Sequence, residues 1–405
     1  MTVLEPGSGG LKFEIQEEIK PRPKIRVIGV GGAGSNAVAH IMSSGLEGVE
    51  FCVANTDMQA LRASPVPNKL ALGVKITGGQ GAGSDPEIGR QAALEDTERI
   101  LELLEGADMV FVAAGLGSGT GTGAAPVVAS LAHQLGALTA AIVTKPFSFE
   151  GPRRIEQAEQ GLAELAQAVD TLVTIPNDRL LALAPRGASL LEAFRMAHEI
   201  MRQAVQEIVE IITTPGLINR DFADIRALMR GTGLAVMGTA LARGENAAVE
   251  AARRAINCPL VEGASIAGAR NILVNVTGSS RLGLHELNDA CMLIREAAGG
   301  EQVQINFGIV LNEAMADAVK LTVIATGFER RAGEQPAASQ TAWSAAPPAF
   351  QPAPAEELPA APPQWLTPPE ACEAPPAEAA PEEEPADDLE DLDTPPYLKY
   401  RGLLQ

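Results

Sequence analysis

One stretch constrains this chain more than any other: Gly115-Leu116-Gly117-Ser118-Gly119-Thr120-Gly121-Thr122-Gly123, between the apolar run Met109 to Ala114 and the helical Ala124-Ala125-Pro126-Val127-Val128. Alternating Gly and Thr removes side-chain bulk while keeping hydroxyls, so successive backbone N–H groups are expected to wrap a di- or triphosphate. Pro126 is expected early in the following helix, where its missing donor costs little. A plain Gly-rich connector is the weaker reading.

A second loop opens the first strand-to-helix unit: Gly29-Val30-Gly31-Gly32-Ala33-Gly34-Ser35-Asn36, then the helical Ala37 to Met42. Alone it fits GxGxxG, with Asp57 at about the spacing of a ribose-binding acid, which is also the pattern of a dinucleotide site. An NAD-dependent oxidoreductase is therefore the alternative, although one pyrophosphate does not require two such loops. No GxxxxGK[ST] occurs. Phosphate binding must rely on backbone and on a metal carried with the ligand.

The runs Ile25 to Val30, Phe51 to Ala54, Met109 to Ala114, Thr139 to Thr144 and Thr171 to Ile175 read as strands alternating with helices, which predicts a parallel sheet covered on both faces. From Ser189 to Thr213, apolar residues recur at three- and four-residue steps with no Gly or Pro, predicting one long helix stopped by Thr214-Pro215-Gly216. A smaller α/β module follows. It holds helices at Ala247 to Ile256 and Leu284 to Ala297, and strands at Asn271 to Thr277, Val303 to Val310 and Val319 to Ala325.

The formal net charge is −20, yet 14 Asp/Glu and no Lys or Arg fall between Ala332 and Leu398, so the acidity belongs mainly to a tail. No basic stripe tracks a phosphate backbone, and nucleic acid is not an expected partner. The same tail holds 16 of the 29 prolines. It cannot bury enough apolar surface to fold and reads as a tether spanning roughly 40 Å. Apolar, aromatic and basic residues return at Asp391 to Arg401. The cysteines lie far apart without a CxxC, no protein metal site is expected, and no secretory or membrane-spanning run occurs, which predicts a cytoplasmic protein without direct membrane insertion.

The run GxGTGTGAAPVVA, with the first loop and its Asn36, resembles the tubulin-signature loop of FtsZ, the family of bacterial tubulin-like division GTPases. The resemblance spans about Lys24 to Phe328 and returns at the C-terminus. It implies a fold of α/β class: a Rossmann-like GTPase domain joined by a long central helix to a smaller α/β domain, with disordered ends. The implied boundaries are a disordered arm at 1–23, a GTP-binding domain at 24–188, the central helix at 189–213, a C-terminal domain at 214–329, a disordered linker at 330–388 and an adaptor-binding peptide at 389–405.

The resemblance also implies roles for residues. GTP or GDP would be held by Gly31, Gly32, Ala33, Gly34, Ser35 and Asn36, by Asn55 of Asn55-Thr56-Asp57, and by Gly117, Ser118, Gly119, Thr120, Gly121, Thr122 and Gly123. Glu150 and Arg154 would contact ribose and phosphate, with Asn177 nearby. Phe194 would stack on the guanine, and Glu199 stands where the family carries the Asp that reads the base; His198 replaces a frequent Asn. Mg²⁺ would be bound mainly through the phosphates.

Asn219, Asp221 and Asp224 match the family's synergy loop, whose acids act on the next subunit's nucleotide. Plain helix capping is the alternative for these two carboxylates. Ser118 stands where the loop usually has Gly, a departure that matters if the backbone there needs a positive φ. The expected protein is a GTPase of the division ring at mid-cell, on the inner face of the membrane. Its expected partners are itself, in head-to-tail filaments, and tethers such as FtsA through Asp391 to Arg401. A non-hydrolysing GTP-binding scaffold is a further alternative.

Overall fold

A computed structural model of the protein describes residues 23–183, 187, 189–214, 221–258, 266–299 and 303–328. Asn219, Arg220, the N-terminal arm, the linker and the terminal peptide lie outside the described residues.

The first part of the chain alternates strand and helix: β1 (Ile25–Val30), α1 (Gly31–Ser43), β2 (Val49–Asn55), α2 (Met58–Ala63), β3 (Asn68–Ala71), α3 (Val74–Thr77), α4 (Pro86–Glu95), α5 (Thr97–Leu104), β4 (Met109–Gly115), α6 (Gly119–Gln134), β5 (Leu138–Lys145), α7 (Pro152–Ala168) and β6 (Thr171–Pro176). These strands pair in parallel in the order β3-β2-β1-β4-β5-β6. Every residue of β4 and β6 is buried, as expected of strands covered on both faces.

After α8 (Asn177–Leu183) comes α9 (Leu190–Thr213). Its start is fixed by a capping box: the Ser189 hydroxyl accepts from the Glu192 N–H, and the Glu192 carboxylate accepts from the Ser189 N–H. The remainder is α10 (Phe222–Met229), β7 (Gly233–Arg243), α11 (Ala247–Ile256), β8 (Asn271–Gly278), α12 (Leu284–Ala298), β9 (Gln304–Leu311) and β10 (Ala318–Thr326). β7 joins β6 by a short parallel ladder, Thr171 opposite Gly233 to Val173 opposite Ala235, so both modules share one ten-stranded sheet. That sheet ends with antiparallel β10 and then β8-β9.

Three apolar clusters hold the layers. One face of the parallel strands packs on α1 and α9, and the same cluster reaches Met237, Leu273 and Ile324 of the second module, so α9 is covered on both sides. The opposite face packs on α4 to α7. The third cluster lies under α11 and α12.

The helix after the glycine-threonine run begins earlier than expected. α6 starts at Gly119, so Pro126 sits inside the helix rather than at its first turn. Glycine and threonine accept helical φ, and the close neighbours of this run select glycine on packing grounds. A Cβ on Gly123 would lie 1.8 Å from the Pro86 carbonyl oxygen, and one on Gly119 would lie 2.9 Å from the Asp85 nitrogen. The strand β7 has no counterpart in the sequence reading, because its Gly and Ala residues carry little β-branched signal. Gly238 is required there: a Cβ would stand 2.1 Å from the Ala255 carbonyl of α11.

Candidate nucleotide site

In the order β3-β2-β1-β4 the chain reverses its direction of travel across the sheet between β1 and β4, and both glycine loops leave the carboxyl ends of these neighbouring strands. Ligands of open α/β sheets bind at such a switch point. The loops touch there, since a Cβ on Gly31 would stand 2.9 Å from the Gly121 nitrogen. Two helices, α1 and α6, begin at this junction, and neither receives a side-chain cap from its N-cap residue, Val30 or Ser118. Their first N–H groups and positive dipole ends converge where an anion would sit.

The remaining loop residues divide by role. Gly31 and Gly117 hold φ of 73° and 86°, which favour glycine. Gly34 and Gly121 are glycine for packing, with Cβ positions 2.2 Å from the Ala113 oxygen and 2.4 Å from the Gly115 oxygen. Gly32 differs: it is exposed, lies in the helix, and a Cβ on it meets nothing within 4 Å. Ser118 is extended, with φ −110°, so the family's usual glycine is not needed for a left-handed turn here. Its hydroxyl donates to the Gly115 carbonyl at 3.2 Å.

The hydroxyls of Thr120 and Thr56 pair at 2.6 Å, and the Thr122 hydroxyl accepts from the Gly117 N–H at 2.9 Å. Two buried polar atoms have no protein partner here: the Ser35 Oγ near the start of α1, and the Asn177 Oδ1 at the start of α8, after β6. Orphaned buried groups demand a reason, and a polar ligand supplies one. Ala33 and Asn36 are exposed on α1, beside Ser35. Asn55 is buried at the end of β2, its Oδ1 accepting from the Asp57 N–H at 3.3 Å. Asp57 itself caps α2, its Oδ1 accepting from the Gln59 and Ala60 N–H groups at 2.8 and 3.1 Å.

Glu150 accepts from the Phe147 N–H at 2.8 Å and from Arg154 Nη1. The Arg154 carbonyl closes over the second loop, 2.7 Å from where a Gly117 Cβ would be. Phe147 packs edge-on against Phe194 of α9 with centroids 5.6 Å apart, which leaves Phe194 36% exposed at the rim. One turn further along α9, Glu199 faces His40 of α1 at 3.1 Å. The Arg202 guanidinium, reinforced by His40 and Gln203, holds the Glu199 carboxyl down at about 2 against the opposing effect of burial. Burial, followed by the nearby His40, pushes the His198 imidazole below its ordinary value.

The sequence reading overlooked a third glycine-rich segment, Gly78-Gly79-Gln80-Gly81-Ala82-Gly83-Ser84. Its φ values are positive at every glycine and at Ser84. It abuts the second loop and the turn after β2: the Gly81 N–H donates to the Thr56 carbonyl at 3.2 Å, and Ala82 lies against Gly119. Its glycine density was the available signal.

Asp221 and Asp224 are not brought to the glycine loops. α9 leaves the carboxyl end of the sheet and, at 24 residues, carries the chain back about 36 Å. α10 then ends beside the amino end of β6, where the Thr171 hydroxyl donates to the Met229 carbonyl at 2.7 Å. Asp221 occupies the N-cap position of α10, yet its carboxylate caps no N–H there. Both acids are exposed. Among the described residues, no group of three or more His, Cys, Asp or Glu side chains converges on a metal-sized space, and no helix is long and apolar enough to cross a membrane.

A family model for the Tubulin/FtsZ GTPase domain matches residues 24–185, and one for the FtsZ C-terminal domain matches residues 233–329. An empty FtsZ dimer from M. jannaschii is similar at 40% identity with a TM-score of 0.70, covering 76% of this chain and 88% of that one. A single-substitution variant of M. jannaschii FtsZ gives 0.71 at 40% identity, with 76% and 92% covered. The GTPγS-bound protofilament of CetZ2 from Haloferax volcanii, at 23% identity and a TM-score of 0.65 over 76% and 94% of the two chains, shares the fold.

Proposed function

Because the chain belongs to the tubulin/FtsZ family and carries its GTPase domain, we propose that it is a GTP-dependent, self-assembling cytoskeletal protein of the division ring, whose GTP hydrolysis occurs at junctions between copies. The observation that carries this reading is the separation just described: the nucleotide loops stand at one end of the sheet, and Asp221 and Asp224 at the other. A chain that binds GTP at one end and offers carboxylates at the far end completes its site only by stacking head to tail.

The chemistry fits that division. Phosphoryl transfer needs positioning and charge neutralisation more than covalent catalysis. Gly31 to Asn36, Asn55, Gly117 to Gly123 and the overlooked Gly78 to Ser84 would surround the phosphates. Glu150, Arg154 and Asn177 would lie at the ribose, with Phe194 and Glu199 at the base. Asp221 and Asp224, with Asn219, would orient the attacking water on the neighbouring copy's nucleotide. Mg²⁺, held mainly by phosphate oxygens, would offset the γ-phosphate charge. The dinucleotide alternative is disfavoured by the family match and by the second glycine loop, which one pyrophosphate does not require. The reading keeps the sequence-derived domain boundaries, a cytoplasmic location at the mid-cell septum, and tethering through Asp391 to Arg401 by an adaptor such as FtsA.

The test is phosphate release measured with light scattering across protein concentration. Hydrolysis is expected only above a critical concentration, with GTP and not ATP. Asp224→Ala is expected to bind GTP normally, assemble into long-lived filaments and lose at least 10-fold in turnover. Turnover linear in protein down to the lowest concentration, with Asp224→Ala fully active, would place the site within one chain and end the proposal.

A further inference from the structure

The Glu199 carboxylate is saturated. Its Oε2 accepts from Arg202 Nε at 2.8 Å and faces His40 Nε2 at 3.1 Å. Its Oε1 accepts from Arg202 Nη2 at 2.5 Å and from Gln203 Nε2 at 3.1 Å. An ionised carboxylate only accepts, so His40 must carry its hydrogen on Nε2 in this pairing. Two oxygens offer about four acceptor sites, and four donors already use them. The geometry has a simple origin: a glutamate is long enough to fold back along its own helix, onto residues three and four positions later. A guanine edge needs two acceptors, one for N1–H and one for the 2-amino group. Glu199 has none to spare.

We propose that Arg202 and His40 set base specificity in this chain by holding the Glu199 carboxylate off the purine edge, so that the 2-amino group of a 6-oxopurine nucleotide is read weakly. This rests on the base end of the site lying between α1 and α9, as proposed above. Arg202 is the principal clamp, because it bonds both oxygens at once and is itself anchored by the Gln206 side chain. Both are positioning residues: they act on the ligand through Glu199.

GDP and IDP differ only by the 2-amino group, so their affinity ratio on the full chain, measured by calorimetry, reads the clamp directly. The parent protein is expected to favour GDP by less than about threefold. Arg202→Leu keeps the apolar stem volume but frees one acceptor on each oxygen, and should raise the ratio to about tenfold or more, the worth of one hydrogen bond to a charged group. Adding Glu199→Gln to that variant should return the ratio to the parent value, an effect a merely structural role for Arg202 would not produce. Arg202→Lys, which lacks the planar fork, should fall between and keeps the test open if the leucine variant does not fold. A parent ratio already near tenfold, or a ratio unmoved by either Arg202 variant, overturns the clamp while leaving GTP binding standing. Failure of either nucleotide to bind at all overturns the proposed function along with it.

Discussion

At the scale of single residues, the glycines of the site separate cleanly by what their missing Cβ avoids. Gly121 avoids the Gly115 carbonyl at 2.4 Å, whereas Gly32 avoids nothing in the protein. Gly32→Leu is therefore expected to leave the fold intact, even slightly stabilised by better helix propensity, while lowering GTP affinity at least 100-fold because the new side chain stands over the first turn of α1. Gly121→Arg should instead disrupt the turn at Gly115, with a loss above 3 kcal/mol. Thermal melting beside nucleotide titration checks the pair, and a Gly32→Leu protein that binds GTP normally would remove this turn from the site. The glycine pattern was legible in the sequence, but this division of labour was not. Spacing alone does not say which Cβ would strike backbone, and for the same reason Ser118 reads as a departure although its extended φ makes it an ordinary residue.

At the scale of elements, α9 carries an unusual burden. Glu207 is 1% exposed, one oxygen paired with Lys320 of β10 and the other without a partner, while Glu210 stands 3.6 Å from the same ammonium. Removing the cation strands a buried charge, which is costlier than removing both partners. Lys320→Met is expected to destabilise the fold by about 3 kcal/mol in urea unfolding, and adding Glu207→Leu should restore most of it. A single variant within 0.5 kcal/mol of the parent would show that the pair contributes little. The helix itself was readable from its apolar period and its Gly- and Pro-free run. Glu207 was not, because a glutamate between Val205 and Ile208 looks solvated until a second module covers that side of the helix. Likewise β7 hides among Gly and Ala, its place decided by the approach of α11.

At the scale of the whole molecule, the alternation of strands and helices announced a parallel sheet. That one sheet runs through both modules depends on three residue pairs between β6 and β7, a long-range pairing with no local signature. The Pro-rich composition of the linker predicts that deleting residues 391–405 leaves assembly by light scattering unchanged while abolishing binding of the adaptor proposed for that peptide. Loss of assembly in a folded truncation would tie the peptide to the body instead. The length of α9 has an arithmetic consequence. If the nucleotide end and the acid end of one copy cannot meet, a row of n copies owns only n − 1 complete sites. The copy at one tip then keeps its GTP until another arrives or it leaves, and the other tip offers acids to nothing. A filament built this way has a direction, and a clock that starts for each copy only when it is no longer last.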